Sequence, residues 1–250
     1  MSHSAPAAGT YLVVGASGTI GSAVARKLAT PGAVIGLHYC NNRSAAENLR
    51  SALENVGARA ICIQSPLDSE DACYRMSEQA YTAMGIPHGI ALCGGKVPWK
   101  AWQDLSPPDW QSVLFEHCVA PFTLAKLAVS KMAERGDGCV AFLSSIAAKY
   151  GGSPRSLHYA AAKGALETAM HGLSRDVAKA GVRINGVRAG FVDSPQHRAG
   201  RSEQEITERI GKIPMGRSGR PEEIAAAIAF LLSVESGFMT GEIVTVAGGD

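Results

Sequence analysis

The segment that decides the fold is TYLVVGASGTIG, residues 10–21, in which a β-rich run leads directly into closely spaced glycines. Thr10–Val14 predicts a strand, and the apolar spacing that follows predicts a helix over Ile20–Ala29. Any tight turn can use glycine. A glycine-rich turn that opens a helix also suits a pyrophosphate, because the helix presents unpaired N–H groups and the positive end of its dipole. The segment therefore predicts a dinucleotide-binding unit at the first crossover.

Short apolar strands alternate with helical patterns through the rest of the chain. Such alternation implies parallel strands joined by right-handed crossovers, with helices on both faces of one sheet. We predict one α/β domain over residues 1–250, a three-layer Rossmann fold with a doubly wound, seven-stranded parallel sheet. The least regular stretch, residues 193–213, is predicted to be a substrate lid. The predicted strands are Thr10–Val14, Ala33–Tyr39, Ala60–Ile63, Ile90–Cys93, Cys139–Leu143, Val182–Val187 and Glu242–Val246. The predicted helices are Ile20–Ala29, Ser44–Val56, Glu70–Met84, Asp109–Glu134, Leu157–Ala180 and Pro221–Leu232.

The composition is typical of one globular domain and argues against several classes of function. Of the 250 residues, 46% are hydrophobic and the net charge is +2, so a sizeable core is expected and disorder is not. The balanced charge predicts no nucleic-acid partner, and the longest strongly apolar run, Ile224–Leu232, is too short to span a membrane. The first ten residues lack the pattern of a signal peptide. The six cysteines form no C-x-x-C pair, so we expect reduced thiols, no metal site and a cytoplasmic location.

The residues after the second predicted strand bear on the choice of cofactor. An Asp or Glu there would bind the adenosine ribose and disfavour a 2′-phosphate, but the chain continues Cys40-Asn41-Asn42-Arg43. The side chains of Arg43 and the two asparagines can receive a phosphate, which favours NADP(H) over NAD(H). The alternative interpretation makes Asn41-Asn42 a turn and Arg43 the first turn of a solvated helix.

A tyrosine and a lysine with helical spacing predict acid–base chemistry. Tyr159 and Lys163 lie four residues apart and so share one helix face. A free tyrosine has a pKa near ~10, but a neighbouring ammonium and the positive charge of an oxidised nicotinamide would lower it. The pair would then be a competent general acid–base. Ser145, at the end of the preceding strand, can hold a substrate carbonyl oxygen, or it can simply cap a turn.

Taken together, these residues resemble the short-chain dehydrogenase/reductase family, in the compact subfamily that includes 3-oxoacyl-(acyl carrier protein) reductases. The order is a glycine-rich turn, then Ser145, then Tyr159-x-x-x-Lys163, and the resemblance covers essentially the whole chain. It extends to Arg183-Ile184-Asn185, Gly190-Phe191-Val192, Ile213 to Arg217, Arg220 to Glu223, and Thr240-Gly241 with Gly248-Gly249.

The resemblance implies an oxidoreductase that moves hydride between a nicotinamide and a ketone or secondary alcohol, such as a 3-oxoacyl thioester or a cyclic ketone. Tyr159 would be the acid–base, Lys163 would lower its pKa and hold the nicotinamide ribose, and Ser145 would orient the carbonyl. The stretch His38 to Arg43 resembles the segment that holds the 2′-phosphate in NADP-dependent members. The cofactor contacts implied are Gly15, Ser17, Gly18, Thr19, Ile20, Gly21, Asn41, Asn42, Arg43, Leu67, Cys93, Gly94, Gly95, Tyr159, Lys163, Gly190, Val192 and Ser194.

The resemblance also implies a homotetramer, or else a homodimer. The helices Asp109–Glu134 and Leu157–Ala180 would pair across one two-fold axis and the C-terminal strand across another. No membrane partner is implied, and the substrate would be a small molecule, free or borne by a carrier.

Several positions depart from the family pattern, and each puts one cofactor contact in doubt. The turn keeps a G-x-x-G-x-x-G spacing that is seen in longer members. The departures are Val14 for a Thr, Thr19 for a Gly, Pro66 for an Asp, Leu92-Cys93-Gly94-Gly95 for N-N-A-G, and Ala189 for a Pro.

His117 stands where the family carries a helix Asn that completes a proton relay through water to the Lys. Pro121, four residues later, has no N–H to donate to the carbonyl of residue 117, so that carbonyl is free for a water. An imidazole titrates near ~6.5 and could itself shuttle protons as a further catalytic group. The alternative is that His117 only fills space beside Cys118.

Two other functions remain open. The altered cofactor motifs favour a non-catalytic dinucleotide-binding subunit, although the intact Ser145, Tyr159 and Lys163 argue against it. The second alternative function is that of a related epimerase or lyase that keeps its cofactor bound.

The substrate pocket is expected to mix apolar and polar side chains. Its charged residues Lys96, Arg155 and Arg198 could attract an anionic substrate, or they could be solvated surface charges. The residues expected to line the substrate pocket are Lys96, Val97, Trp99, Ala147, Tyr150, Ser153, Pro154, Arg155 and His197.

Overall fold

The predicted strands and helices are present in the predicted order in the computed structural model, which describes residues 9–199 and 201–250. The strands are β1 (Thr10–Val14), β2 (Val34–Tyr39), β3 (Arg59–Gln64), β4 (Gly89–Leu92), β5 (Gly138–Ser145), β6 (Val182–Ala189) and β7 (Ile243–Val246). The α-helices are α1 (Thr19–Leu28), α2 (Arg43–Glu54), α3 (Glu70–Met84), α4 (Pro107–Leu114), α5 (Ala120–Arg135), α6 (Ala147–Tyr150), α7 (Leu157–Val177), α8 (Pro195–Ala199), α9 (Glu203–Gly211) and α10 (Pro221–Leu232).

The strands form one parallel sheet in the order β3-β2-β1-β4-β5-β6-β7. The chain runs outward from β1 to β3, crosses back to β4 beside β1, and continues to β7. The predicted doubly wound, seven-stranded parallel sheet is confirmed. In such a sheet ligands bind outside the carboxyl ends of the strands, where the direction of winding reverses. The β1–β4 boundary is therefore the expected place for a site.

Two apolar layers cover the two faces of the sheet. In β1, Val13 is buried with α1, α2 and α10 on one face, while Leu12 and Val14 are buried with α3, α5 and α7 on the other. This alternation follows the period of two along a strand. The strand ends that carry the site are thus held between two layers of helices.

The predicted helix Asp109–Glu134 is interrupted, so that prediction was wrong in one respect. A π-helical turn, Phe115–Val119, separates α4 from α5. Pro121 has no N–H and cannot continue the i to i−4 ladder; instead the Ala120 N–H donates to the Phe115 carbonyl, five residues earlier. The turn carries His117, which is buried.

The whole stretch Pro107–Arg135 is long and apolar enough to cross a membrane by length and composition alone, which the sequence analysis did not anticipate. In its most apolar window, 44% of the residues are buried inside the fold. Core helices of globular domains meet the same criterion, so this feature is weak evidence for a membrane span.

Residues 193–213, predicted to be irregular, contain the short helices α8 and α9 in their described part. The Ser202 hydroxyl accepts from the Glu205 N–H and the Glu205 carboxylate accepts from the Ser202 N–H, which caps α9 at its first turn. Ile206 and Ile213 are buried against Phe191 in a small cluster separate from the two main layers. The sequence analysis did not predict α8 and α9. Both helices are short, and the described apolar contacts of α9 are limited to this small cluster.

Candidate active site

A large cavity opens at the carboxyl ends of the central strands. Its volume is about 1440 Å³, more than the roughly 300–1,000 Å³ of a typical small-molecule pocket, which leaves room for a dinucleotide beside a substrate. It is lined by every residue predicted for catalysis or cofactor binding except Arg43. Those lining residues are Gly15, Ser17, Gly18, Thr19, Ile20, Gly21, Asn41, Asn42, Leu67, Cys93, Gly94, Gly95, His117, Ser145, Tyr159, Lys163, Gly190, Val192 and Ser194.

The turn between β1 and α1 has a shape that only glycine allows at two positions. Gly15 has φ +78°, and a Cβ there would lie 2.7 Å from the Cα of Gly94. A Cβ on Gly21 would lie 2.2 Å from the Gly15 carbonyl oxygen. Gly18 caps α1 without a side-chain acceptor, and no acidic residue stands in the first turn. The first N–H groups of α1 are thus free to bind an anion in the cavity, which fits a pyrophosphate.

His38 fixes this turn to the ends of β2 and β3, a role that the sequence analysis missed. Its Nδ1 accepts from the Gly15 N–H at 3.1 Å, and its Nε2 donates to the Ser65 carbonyl at 3.0 Å. The Ala16 N–H donates to the His38 carbonyl at 2.8 Å. Burial lowers the pKa of His38 to about 4, so the imidazole is neutral with its proton on Nε2. A histidine inside an otherwise apolar strand was the available signal.

The end of β2 places the two asparagines in the cavity but not Arg43. Asn42 Oδ1 accepts from the Ala45 N–H at 3.1 Å and so caps α2. The Arg43 side chain is 76% exposed and its Nε lies 3.9 Å from Glu47 Oε1, one turn further along α2. Since α2 begins at Arg43, its side chain follows the outer face of the helix. For Asn42 and Arg43 the geometry matches the alternative interpretation, a turn and a solvated helix end.

The predicted catalytic residues come together on the floor of the cavity. Ser145 and Tyr159 line the same part of the cavity, and the Ser145 hydroxyl acts to lower the pKa of the Tyr159 phenol. Lys163 Nζ lies 5.8 Å from the centre of the Tyr159 ring and donates to the Leu143 carbonyl at 2.7 Å. Lys163 is buried, with 4% of its surface exposed. The helix α7 and the end of β5 thus bring a phenol, an ammonium and a hydroxyl to one place.

Burial sets the pKa values of this group in the chain by itself. Burial raises the pKa of Tyr159 to about 12, although the Ser145 hydrogen bond acts in the opposite direction. Burial also lowers the pKa of Lys163 to about 8. In the chain by itself desolvation dominates the pKa of Tyr159, and the ammonium of Lys163 is directed at the Leu143 carbonyl. The lowering by Lys163 together with an oxidised nicotinamide concerns the cofactor-bound protein and stays a prediction.

His117 is packed between the β4 end and the tyrosine. Its ring meets the Tyr159 ring edge to face at 4.8 Å, and its Nε2 donates to the Lys96 carbonyl at 2.8 Å. A Cβ on Gly95 would lie 2.4 Å from its Cε1. Its Nδ1 is buried with no hydrogen-bond partner among the described residues. Burial, and then the Lys163 charge, lower its pKa to about 3.

A buried carboxylate that pairs with a partly exposed arginine lies behind the site, and the sequence analysis did not identify it. Glu167, one turn after Lys163 on α7, accepts from the Ser144 hydroxyl at 2.6 Å. The same carboxylate accepts from Arg188 Nε at 2.9 Å and Nη2 at 2.6 Å. These bonds join α7 to the ends of β5 and β6, next to Ser145. An acidic residue at i+4 from the lysine was the available signal.

The substrate end of the cavity matches the prediction in most of its lining. Arg155 is exposed and pairs with Glu205 at 2.7 Å, and Arg198 pairs with Asp193 at 2.6 Å outside the cavity. Pro154 and Arg155 do not line the cavity, whereas Lys96, Val97, Trp99, Ala147, Tyr150, Ser153 and His197 do. Lining residues that the sequence analysis missed include Arg201, Arg209, Lys212 and Asp250.

Comparison with known proteins finds reductases and dehydrogenases that match nearly the whole chain. A family model described as Enoyl-(Acyl carrier protein) reductase matches residues 15–250. The uncharacterized oxidoreductase YmfI of Bacillus subtilis is 33% identical over 241 residues, which cover 96% of this chain and 98% of the relative. Cis-4-hydroxycyclohexanecarboxylate dehydrogenase of Sinomonas cyclohexanicum is 30% identical over 95% of this chain and 94% of its own. (3R)-3-hydroxyacyl-CoA dehydrogenase of Canis lupus familiaris is also 30% identical, over 95% of this chain and 94% of the relative.

Proposed function

Because the chain belongs to the short-chain dehydrogenase/reductase family, we propose that it transfers hydride between NADP(H) and a ketone or secondary alcohol, with Tyr159 as its acid–base. At the coarser level it is a nicotinamide-dependent oxidoreductase of small-molecule carbonyls or alcohols. The observation that carries the proposal is the convergence of Ser145, Tyr159 and Lys163 in the cavity that the open N-terminus of α1 also lines.

The dinucleotide would be held along one side of this cavity. The first N–H groups of α1 would bind its pyrophosphate, and Lys163 would hold the nicotinamide ribose, with Gly190, Val192 and Ser194 against the nicotinamide. When bound, the nicotinamide supplies or accepts the hydride. The hydroxyl of Ser145 would hold the substrate oxygen beside the Tyr159 hydroxyl, within one water-excluding site.

Tyr159 would move the proton that accompanies the hydride. A phenol whose pKa is raised to about 12 carries its proton at neutral pH, which is the form needed to protonate the oxygen of a carbonyl that is being reduced. For the reverse reaction the phenol must lose its proton, and the positive charge of an oxidised nicotinamide would add to that of Lys163 in lowering the pKa. The free chain is therefore prepared for reduction.

The proposed NADP(H) preference is supported by the absence of a carboxylate from β2 through Arg43. Asn41 lines the cavity where such a carboxylate would stand. We expect NADPH to bind more tightly than NADH, and Asn41→Asp to reverse that order by repelling a 2′-phosphate. Titration of intrinsic fluorescence with each reduced cofactor measures both affinities. Equal affinities in the unaltered protein would contradict the preference.

His117 is better described as a positioning residue than as a proton shuttle. A shuttle must accept a proton during turnover, whereas burial keeps its pKa near 3 and the imidazole neutral. It instead supports the Lys96 carbonyl and packs on the edge of Tyr159. We expect His117→Asn to lower kcat without altering the pH at which kcat changes. If the pH profile of kcat differs between His117→Asn and the unaltered protein, the hypothesis that His117 transfers protons would be supported instead.

A turnover experiment tests the proposed function as a whole. The protein is incubated with NADPH and acetoacetyl-CoA, 4-oxocyclohexanecarboxylate, its methyl ester or a quinone, and the absorbance of the reduced cofactor is followed. We expect oxidation with at least one ketone, and none in Tyr159→Phe. NADPH binding without oxidation by any compound would instead favour the non-catalytic subunit. Epimerisation or elimination with no net change in absorbance would favour the epimerase or lyase.

The proposed assembly is a homotetramer, or a homodimer, in the cytoplasm. Exposed apolar side chains between α10 and β7 support contact near the C-terminal strand, since Val234 is 88% and Phe238 107% exposed. Light scattering coupled to gel filtration measures the mass. We expect Phe238→Ser to lower it, and a monomeric unaltered protein would contradict the assembly.

A further inference from the structure

The end of the cavity beside the predicted lid holds an arginine, Arg201, that forms no ion pair with any described residue. Nη1 of Arg201 is buried and has no hydrogen-bond partner in the described part of the chain. Its guanidinium lies over the ring of Trp99 at 4.7 Å and over the ring of Phe191 at 5.3 Å. Contacts of a guanidinium with two aromatic faces restrict its orientation while leaving its N–H donors available.

The other arginines around this end of the cavity are already paired, whereas Arg201 has no such partner among the described residues. Arg209 forms an ion pair with Asp250, and Arg155 forms one with Glu205. No ion pair of Arg201 occurs within residues 9–199 and 201–250. A buried donor that lacks a partner is costly, so a ligand that supplies an acceptor there gains a favourable interaction.

The charges around Arg201 favour an anion. Among the described residues that line this end, three are cations, Arg201, Arg209 and Lys212, and one is a carboxylate, Asp250. Burial and the nearby Arg209 lower the pKa of Arg201, and Glu205 only partly offsets them. Arg201 is thus in a desolvated, positive environment in which a carboxylate is attracted strongly.

We propose that Arg201 binds a carboxylate, or a comparable anionic group, on the substrate whose carbonyl is held at Ser145 and Tyr159. The planar guanidinium can pair two N–H donors with the two oxygens of such a group. The cavity is continuous between the two places, since its lining includes Ser145, Tyr159 and Arg201. Tyr150 also lines it, with its hydroxyl 3.5 Å from Nη2 of Arg209. The substrate is then a keto acid or hydroxy acid whose anion points toward the lid and whose carbonyl points toward the tyrosine. This inference rests on the proposed function for the identity of the reacting group.

The test compares 4-oxocyclohexanecarboxylate with its methyl ester, which lacks the charge, in the unaltered protein and in Arg201→Met. Loss of a charge-assisted pair corresponds to a roughly ten- to hundredfold rise in KM for the carboxylate, with kcat nearly unchanged and the ester unaffected. Arg198→Met is the matched control, because Arg198 belongs to the same lid but pairs with Asp193 and Glu203 outside the cavity. We expect this control to affect the two ketones equally.

A binding measurement keeps this inference separate from the proposed function. Calorimetric titration with cyclohexanecarboxylate and with cyclohexanecarboxamide needs no turnover, and we expect the carboxylate to bind more tightly and Arg201→Met to remove the difference. If neither ketone oxidises NADPH while the carboxylate still depends on Arg201, the anion site stands and the proposed reaction fails. If the ester is reduced as well as the carboxylate, and Arg201→Met changes both alike, the anion site is refuted and the reaction stands.

Discussion

The hydrogen bonds of His38 make the cofactor turn sensitive to acid. The imidazole must be neutral in the folded chain, because its Nδ1 accepts from the Gly15 N–H while its Nε2 donates to the Ser65 carbonyl. Protonation of Nδ1 would replace an acceptor with a donor aimed at another donor. Acid should therefore act on the very turn that is proposed to bind the pyrophosphate.

The magnitude follows from the pKa of His38. It falls from ~6.5 in an unfolded chain to about 4 in the folded one. Between these values the unfolded chain binds the proton more readily, so the free energy of unfolding decreases as the pH falls. One pKa unit corresponds to about 1.4 kcal/mol, which gives a loss of about 2 kcal/mol from this residue by about pH 5 and about 3 kcal/mol by about pH 4. Above about pH 6.5 the full contribution is present.

The assay is urea unfolding of the unaltered protein and of His38→Asn at about pH 8 and at about pH 5. Other titrating groups affect both proteins alike, so the difference between them isolates His38. We expect the unaltered protein to lose about 2 kcal/mol more than His38→Asn over this interval. His171→Asn is the matched control, since it makes the same substitution at an exposed histidine of α7. Equal losses in the unaltered protein and His38→Asn would refute the reasoning.

The other predictions concern the site. Tyr159→Phe should lower kcat by roughly 10²- to 10⁴-fold in a ketone reduction assay while leaving the titrated affinity for NADPH nearly unchanged. Gly21→Ala should abolish NADPH binding by calorimetry, because its Cβ would lie 2.2 Å from the Gly15 carbonyl oxygen, whereas Gly164→Ala on α7, where a Cβ meets nothing within 4 Å, should not. Glu167→Gln removes the charge of a buried carboxylate that accepts from Arg188 and from the Ser144 hydroxyl, and should lower the unfolding free energy by about 2 kcal/mol. Glu134→Gln, at an exposed carboxylate paired with Lys131, should change it by less than about 1 kcal/mol. A similar loss in both would contradict the importance of burial.

The sequence predicted the order of strands and helices well, because hydrophobic periodicity and glycine position are local signals. The π-helical turn at Phe115–Val119 was not predicted, because it depends on tertiary packing rather than on a local signal. Pro121 indicated that one hydrogen bond must be absent, but whether a helix ends, bends or widens there depends on what packs against it. Here the wider turn places His117 against Tyr159 and Gly95.

The candidate site was predictable wherever one residue type at one spacing carries the chemistry. Tyr159 and Lys163 are such a pair, and both line the cavity. The pKa of Tyr159 was not predictable, since it depends on burial as well as on charge. Contacts between residues that are distant in the sequence could not be predicted either. Glu167 contacts Arg188, and His38 contacts the Ser65 carbonyl, only once the sheet has formed.

The small cluster under the lid has a consequence for turnover. Only three apolar side chains, Phe191, Ile206 and Ile213, are buried in it. The other described contacts that join residues 193–213 to the rest of the chain include the exposed ion pair of Glu205 with Arg155. We therefore expect a ligand that touches the predicted lid to add substantially to the contacts that keep it closed. Molecules too short to reach the lid would leave it open and dissociate quickly. Residence time, more than the shape of the catalytic floor, would then separate good substrates from poor ones.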